Sequence, residues 1–347
     1  MHLKLTRYSL IMAQHKGLNA LKVLMILFVI FIHENPTHNT HGDMVMWWNS
    51  IVVVAVPVFF TLSGYFFFRG MDVLTMDVYR KKLATRFRTL FIPYMIWNCF
   101  PVLFVVAGNL YSIIFRGKST DDLIGFLTGL WDEGLWHIWW DKTSGLMPFD
   151  SPLWYVRDLM ILCVLSPLFY MSIRKIGWFF PLIIGVLSLS PLSLPIGFSS
   201  TGLFFFSFGS TFALRRIPMD AIGGGRYFVY VLALSLFILC NVLHEPLLHK
   251  LFIISSCYAW ILLFHQIDGH VINRIAAFSE TVFFVLALHN IIVLANVGKG
   301  LMLIMSGFFI GLSYWIAPFI TLFICVMLYY IIKKVFPQVL DVLCGGR

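Results

Sequence analysis

The chain has 347 residues, 60% hydrophobic and 12% charged, against about 45–50% and about 25% in an ordinary soluble domain. A soluble protein of this size has no interior large enough to hide so much apolar surface, which excludes soluble enzymes, nucleic-acid readers, disordered chains and coiled coils. The net charge of +9 then becomes a question of where cations sit across a bilayer, and the expected class is an all-α integral membrane protein.

In chain order, Lys4, Arg7 and Lys16 precede an apolar stretch that ends in His33-Glu34. It lacks a small-residue cleavage site and reads as a retained first helix, not a cleaved signal. Apolar segments of spanning character fall at approximately 18–34, 51–68, 87–107, 153–171, 178–194, 201–214, 227–243, 250–265, 279–297 and 313–335. No alternating barrel pattern is present, so helices are the remaining way to satisfy the backbone in hydrocarbon. The stretch 299–312 is apolar but broken by glycines and reads as an interfacial segment. Between the third and fourth segments, 108–152 forms a long loop carrying Asp121, Asp122, Asp132, Glu133, Asp141 and Asp150 together with Trp131, Trp136, Trp139 and Trp140. Two readings stand side by side: an interfacial aromatic belt, or a platform on which indole faces stack sugar rings and carboxylates bond hydroxyls. The six cysteines are scattered without metal-binding or disulfide spacing and read as packing residues.

Orientation follows from the cations. With the N-terminus inside, only Arg116, Lys118, Lys142, Arg157, Lys250 and Lys299 of the 25 Lys and Arg fall on the outer side or outer helix ends. Both termini are therefore expected in the cytoplasm, which requires an even number of spans; ten satisfies it. The expectation is one polytopic domain over 1–347, with about ten transmembrane helices and no separate soluble domain.

Ionisable groups inside apolar segments mark sites or pathways. His33 lies eleven residues beyond Lys22, about 16 Å deep, and His289 nine residues beyond Glu280, about 13–14 Å deep. The two histidines thus share a level near mid-membrane, and histidine exchanges protons readily near neutral pH. The alternative for each is a hydrogen-bonded packing histidine. Glu34, about 100° around the helix from His33, either orients it or is solvated. Arg157-Asp158, one turn into the fourth helix, is either a self-paired couple or a site, and His265 reads as solvated near the inner face. On that face Arg80-Lys81-Lys82, Arg86, Arg88 and Arg215-Arg216 are either plain topology signals with anionic lipid or a phosphate-binding cluster. No Walker loop or dinucleotide fingerprint accompanies them, and Gly223-Gly224-Gly225 reads as a flexible turn.

Several motifs resemble one family. Gly17-Leu18-Asn19-Ala20-Leu21-Lys22 running to His33, Pro57-Val58-Phe59-Phe60-Thr61-Leu62-Ser63-Gly64-Tyr65, Arg88 to Trp97 with its Ile92-Pro93-Tyr94, Leu153-Trp154-Tyr155, Phe206-Ser207-Phe208-Gly209 and Leu286-Ala287-Leu288-His289 stand in order over about 17–290. Together they are similar to the opening helix ending in His, the "PhhFFxxSGY", "IPYxxW", "LWFxxxL" and "FxxG" elements and the ninth-helix His element of the acyltransferase-3 membrane O-acyltransferases. Gly17 (or Lys16) and Asn19 stand where that pattern has Arg and Asp, and Ala287 where it has Tyr.

The resemblance implies transfer of an acyl group, most readily acetyl, from cytoplasmic acyl-coenzyme A to a hydroxyl of a cell-surface or lipid-linked glycan at the outer face of a bacterial inner membrane. His33 would be the general base, with His289 positioning substrate or stabilising the oxyanion and Glu34 beside them. Lys22, Arg80, Lys82, Arg86, Arg88 and Arg215 would hold the donor. Trp136, Trp139, Trp140, Trp154, Arg157 and Asp158 would hold the acceptor. Acyl-coenzyme A is a co-substrate; no tightly bound cofactor, metal or nucleic acid is expected, and membrane lipid is the other partner. An acyl-enzyme relay stays open. A transporter or exporter using the same His and Arg/Asp groups is the competing reading, though no internal repeat supports it.

Overall fold

The computed structural model describes residues 2–34, 42–140, 147–190, 198–305 and 310–346. Among them every regular element is a helix. Helices satisfy their own N–H and C=O groups where lipid offers no partner. They are α1 (His2–His33), α2 (Asp43–Val52), α3 (Ala55–Phe68), α4 (Met76–Arg86), α5 (Ile92–Arg116), α6 (Asp121–Glu133), α7 (Trp154–Val164), α8 (Ser166–Ile176), α9 (Phe179–Leu189), α10 (Ser200–Leu214), α11 (Arg226–Leu243), α12 (Pro246–Gln266), α13 (His270–Ala277), α14 (Val282–Leu288), α15 (Ala295–Ile304), α16 (Ile310–Val335) and α17 (Pro337–Cys344).

Within the described residues each of the ten apolar segments carries helix, but they differ in span. Among the described residues seven helical stretches are long and apolar enough to cross a membrane: Lys16–His33, Asp43–Phe68, Met76–Arg116, Arg226–Leu243, Pro246–Gln266, His270–Leu288 and Gly311–Val335. The pair α7–α8 makes an eighth if counted as one span, bent by 62°. Pro167, at the start of α8, has no N–H for the Cys163 carbonyl, which breaks the ladder there. The remaining two, α9 and α10, have 11 and 15 residues. Helix α10 is short because protein, not lipid, surrounds it: Phe204–Phe206 and Ser210–Leu214 are buried among α3, α7, α8 and α9.

The closest helix crossing is α3 against α10. An ideal Cβ on Gly64 would lie 2.2 Å from the Phe206 carbonyl oxygen, and one on Gly209 would lie 1.9 Å from that of Thr61. The glycines of the "SGY" and "FxxG" motifs are thus two halves of one contact, each clearing the other helix's backbone. Gly17 does the same where α1 meets α12, 1.9 Å from the Phe264 carbonyl oxygen on the same construction. That contact leaves no room at residue 17 for the arginine of the family pattern.

Two expectations about connections change. The stretch 108–152 is not one long loop. Helix α5 runs on to Arg116 and ends at Gly117 in the left-handed region (φ 62°); α6 and a 3-10 helix, Leu135–Ile138, follow. Asp141 and Lys142 lie outside the described residues. Ile124, Leu127 and Trp131 form an exposed apolar stripe along α6, the signature of a helix lying at a membrane interface. Similarly, the glycine-broken stretch after residue 298 continues as helix to Ile304; 306–309 lie outside the described residues.

Helix α4 passes into α5 through a π-helical turn, Phe87–Phe91. Pro93 cannot bond the Thr89 carbonyl, and the wider turn absorbs that loss. The Trp97 indole N–H donates to the Leu343 carbonyl at 2.9 Å, so the tryptophan of "IPYxxW" anchors α17.

The crossing predicts that Gly64→Val and Gly209→Val each cost about 1–3 kcal/mol or more through overpacking, whereas Gly108→Ala, with nothing within 4 Å of its Cβ, costs nothing. Thermal midpoints of purified protein in detergent, read by size-exclusion, would show this. Equal midpoints for all three variants would contradict it.

Candidate active site

The end of α1 and the end of α14 bring His33 and His289 together. His289 Nε2 lies 3.4 Å from His33 Nδ1, with ring centroids 5.1 Å apart and planes inclined at 73°. The shared depth inferred from helical rise is therefore an actual contact between residues 256 apart.

Hydrogen-bond partners assign the protons. His33 Nδ1 is 2.9 Å from the Val29 carbonyl oxygen, and His289 Nδ1 is 2.9 Å from those of Val285 and Leu286. A carbonyl accepts only, so both Nδ1 atoms carry hydrogen and both neutral rings keep their lone pair on Nε2. The His289 lone pair faces the His33 N–H. His289 is fully buried and His33 half-buried. His289 opens a π-helical turn, His289–Leu294, of the kind that collects at functional sites. The next residue, Asn290, donates from Nδ2 to Ser151 Oγ at 3.0 Å, tying this turn to the start of α7. Asn290 was legible only as the neighbour of His289. Glu34 is buried, its carboxylate oxygen 3.9 Å from an ideal Cβ on Gly298 of α15. Among the described residues the His33 ring bonds Val29 and His289, so Glu34, itself buried, is neither its orienting partner nor freely solvated.

A cavity of about 290 Å³ lies below the pair. One end carries Lys22, Arg86, Ser279 and Glu280; the other is formed by Phe59, Leu62, Ser63, Tyr155 and Leu286. Leu286 is one helical turn from His289 and its carbonyl takes the His289 N–H. At the charged end, Lys22 bonds Asn19 Oδ1 at 3.1 Å and sits 5.0 Å from the Phe66 ring centroid, and Glu280 pairs with Lys333 at 2.7 Å.

The other cations distribute unequally. Lys82 donates to the Phe67 carbonyl at 2.5 Å and, like Arg86, stands over the Phe67 ring, capping the last turn of α3. Arg80 and Arg88 are exposed and absent from the cavity wall. Arg215 packs its guanidinium against Gly177 at the α8–α9 turn, and Arg216 pairs with Asp72. His265 is not solvated: its side chain is 7% exposed and its Nδ1 lies 3.2 Å from the Asp220 carboxylate.

Near the start of α7, Arg157 and Asp158 are both a couple and a clamp. Arg157 Nε and Nη2 each reach Asp158 Oδ1 at 3.0 Å. Asp158 Oδ2 accepts the Ser199 N–H at 3.0 Å, where Ser199 caps α10. The guanidinium lies 4.5 Å from the Trp140 ring centroid. Trp139 spends its indole N–H on the Met95 carbonyl at 3.0 Å, and Trp154 packs against Phe60. Trp136 is 44% exposed beside His137. Asp150 is buried rather than solvated, its N–H held by Asn98. Trp140, Arg157 and Asp158 thus form one cluster, while Trp136, Trp139 and Trp154 occupy three other surroundings.

Residues 15–296 match the acyltransferase-3 family model, described as an acyltransferase domain. Among curated proteins, the succinoglycan biosynthesis protein ExoH of Rhizobium meliloti (strain 1021) is 25% identical over 217 residues, covering 59% of this chain and 55% of that protein. The chain thus matches about half the length of that relative. No solved structure matches it.

Breaking a buried ion pair leaves an uncompensated charge, so Arg157→Ala and Asp158→Asn should each lose about 3–5 kcal/mol of stability. Arg157→Met with Asp158→Leu should lose less than the two single changes together. Thermal unfolding of the three variants in detergent reads this directly, and strictly additive losses would exclude the pairing as the source.

Proposed function

The chain belongs to the acyltransferase-3 family, and on that premise we propose that it moves an acyl group, most readily acetyl, from cytoplasmic acyl-coenzyme A to a hydroxyl of a cell-surface or lipid-linked glycan. The observation that carries this reading is the His33–His289 contact one turn beyond a cavity whose far end presents Lys22 and Arg86. The name of the succinoglycan biosynthesis relative supports a polysaccharide acceptor. On this reading the chain has ten spans in a bacterial inner membrane with both termini in the cytoplasm. The Lys22–Arg86 end opens inward to the donor's phosphates, with Lys82 beside it and Arg80 and Arg88 drawing the anion in from solvent. The donor is a co-substrate, and no tightly held cofactor is involved.

The proton assignments suggest the chemistry. His33 Nε2, with its lone pair, takes the proton of the acceptor hydroxyl. The oxygen attacks the thioester carbonyl, the C–S bond breaks, and the leaving thiolate recovers the proton from His33. As His33 becomes cationic, its Nδ1–H is held by the Val29 carbonyl and by the lone pair of His289. His289 has its only N–H engaged by two backbone carbonyls, so it suits orienting and stabilising His33 better than donating to an oxyanion. The acceptor would approach from the Trp140–Arg157–Asp158 side, with Trp136 at the exposed rim.

His33→Ala should abolish acylation of surface glycan, read by NMR of the isolated polymer, with protein level in membranes unchanged; full acylation would remove His33 from the mechanism. His289→Ala should lower kcat about 100-fold or more while the KM for acyl-coenzyme A changes little. A lowered donor affinity with unchanged kcat would instead make His289 a binding residue.

A further inference from the structure

The apolar end of the cavity contains two polar side chains, Ser63 of α3 and Tyr155 of α7, and they meet: Ser63 Oγ and Tyr155 OH are 2.9 Å apart. The other side chains at that end, Phe59, Leu62, Leu159 and Leu286 among them, are hydrocarbon, and the Phe59 carbonyl oxygen takes a longer contact of 3.4 Å from Tyr155 OH that an incoming amide can replace. We infer that the Ser63–Tyr155 hydroxyl pair grips the amide-bearing arm of the acyl donor between its phosphates and its thioester, making both side chains positioning residues for that substrate. The inference rests on the proposed acyl-coenzyme A donor.

The argument is one of polar satisfaction along a path. A donor whose phosphates sit at Lys22 and Arg86 and whose thioester reaches the histidine pair must thread its arm past Phe66, Phe67 and Leu62. That arm carries amide N–H and C=O groups, which lose their water on entry and are costly unless bonded again. A hydroxyl both donates and accepts, so two joined hydroxyls can serve either group of an amide. Their place fits the need. Ser63 lies one turn along α3 from Phe66, over which Lys22 stands, and Tyr155 is the second residue of α7, facing the level of Leu286. A grip at that point sets how far the thioester extends towards His33.

The simpler account is a hydrogen bond that joins α3 to α7. The phenol ring already performs that packing, at 4.7 Å from the Phe60 centroid and 5.8 Å from that of Phe59. The matching motif reads Leu-Trp-Phe, and this chain has Leu153-Trp154-Tyr155, so Tyr155→Phe keeps the ring and removes only the hydroxyl.

The test compares ligands with and without the arm. Full-length protein in nanodiscs would be titrated with acetyl-coenzyme A and with adenosine 3′,5′-bisphosphate, which keeps the nucleotide phosphates and lacks the arm. Tyr155→Phe and Ser63→Ala should weaken acetyl-coenzyme A about fivefold to tenfold, the loss of one hydrogen bond, and leave the bisphosphate unchanged. Equal weakening of both ligands, or of neither, would overturn the grip and leave the pair a helix-packing bond. If wild-type protein binds the bisphosphate and not acetyl-coenzyme A, the grip fails while the nucleotide site stands. If it binds neither, the acyl-coenzyme A reading itself falls, and the inference with it.

Discussion

The close approach of α3 and α10 is the contact on which the site is built. Only glycine permits the Gly64 and Gly209 crossing, because a methyl group on either would enter the other helix's backbone. With backbones that near, α10 becomes a buried strut, and its capped start at Ser199 can be met by Asp158. The same crossing turns Ser63, the residue before Gly64, towards α7 and the cavity. Hydrophobic association cannot drive such packing in lipid, which leaves close van der Waals fit and shared hydrogen bonds to do it.

Several charged or strongly polar groups buried among the described residues have their partners within the bundle. Two histidines rest on carbonyls of their own helices and on each other. Arg157 and Asp158 combine a paired charge, a helix start and an indole face. Such groups are expensive in a membrane unless satisfied, and their satisfaction also fixes their proton positions. On the proposed mechanism the His33 lone pair is likewise directed by where the Val29 carbonyl points, not by an acid partner such as Glu34.

Much of this was legible in the linear chain. Helical segments followed from apolar runs, and the common depth of His33 and His289 from counting residues at a known rise. What was not legible depends on how elements meet. Arg215 reads with the cations at 80–88 as part of one inner-face cluster but packs at Gly177, at the turn between α8 and α9. The outer stretch read as loop because its acids and tryptophans hide a helix whose apolar stripe faces outward instead of into a core. The hydrogen-bond partners of His289 depend on which carbonyls lie beside it at the start of a π-helical turn, a local widening that residue periodicity does not announce.

The anchoring of α17 has a consequence for assembly. Gly345 (φ +67°) nestles against the backbone of Thr89, next to Leu90 of the cavity wall, and Trp97 reaches Leu343. Residues 337–346 leave the ribosome after every other element of the site described above. A nascent chain therefore carries both histidines before α17 can brace the cavity wall at Leu90.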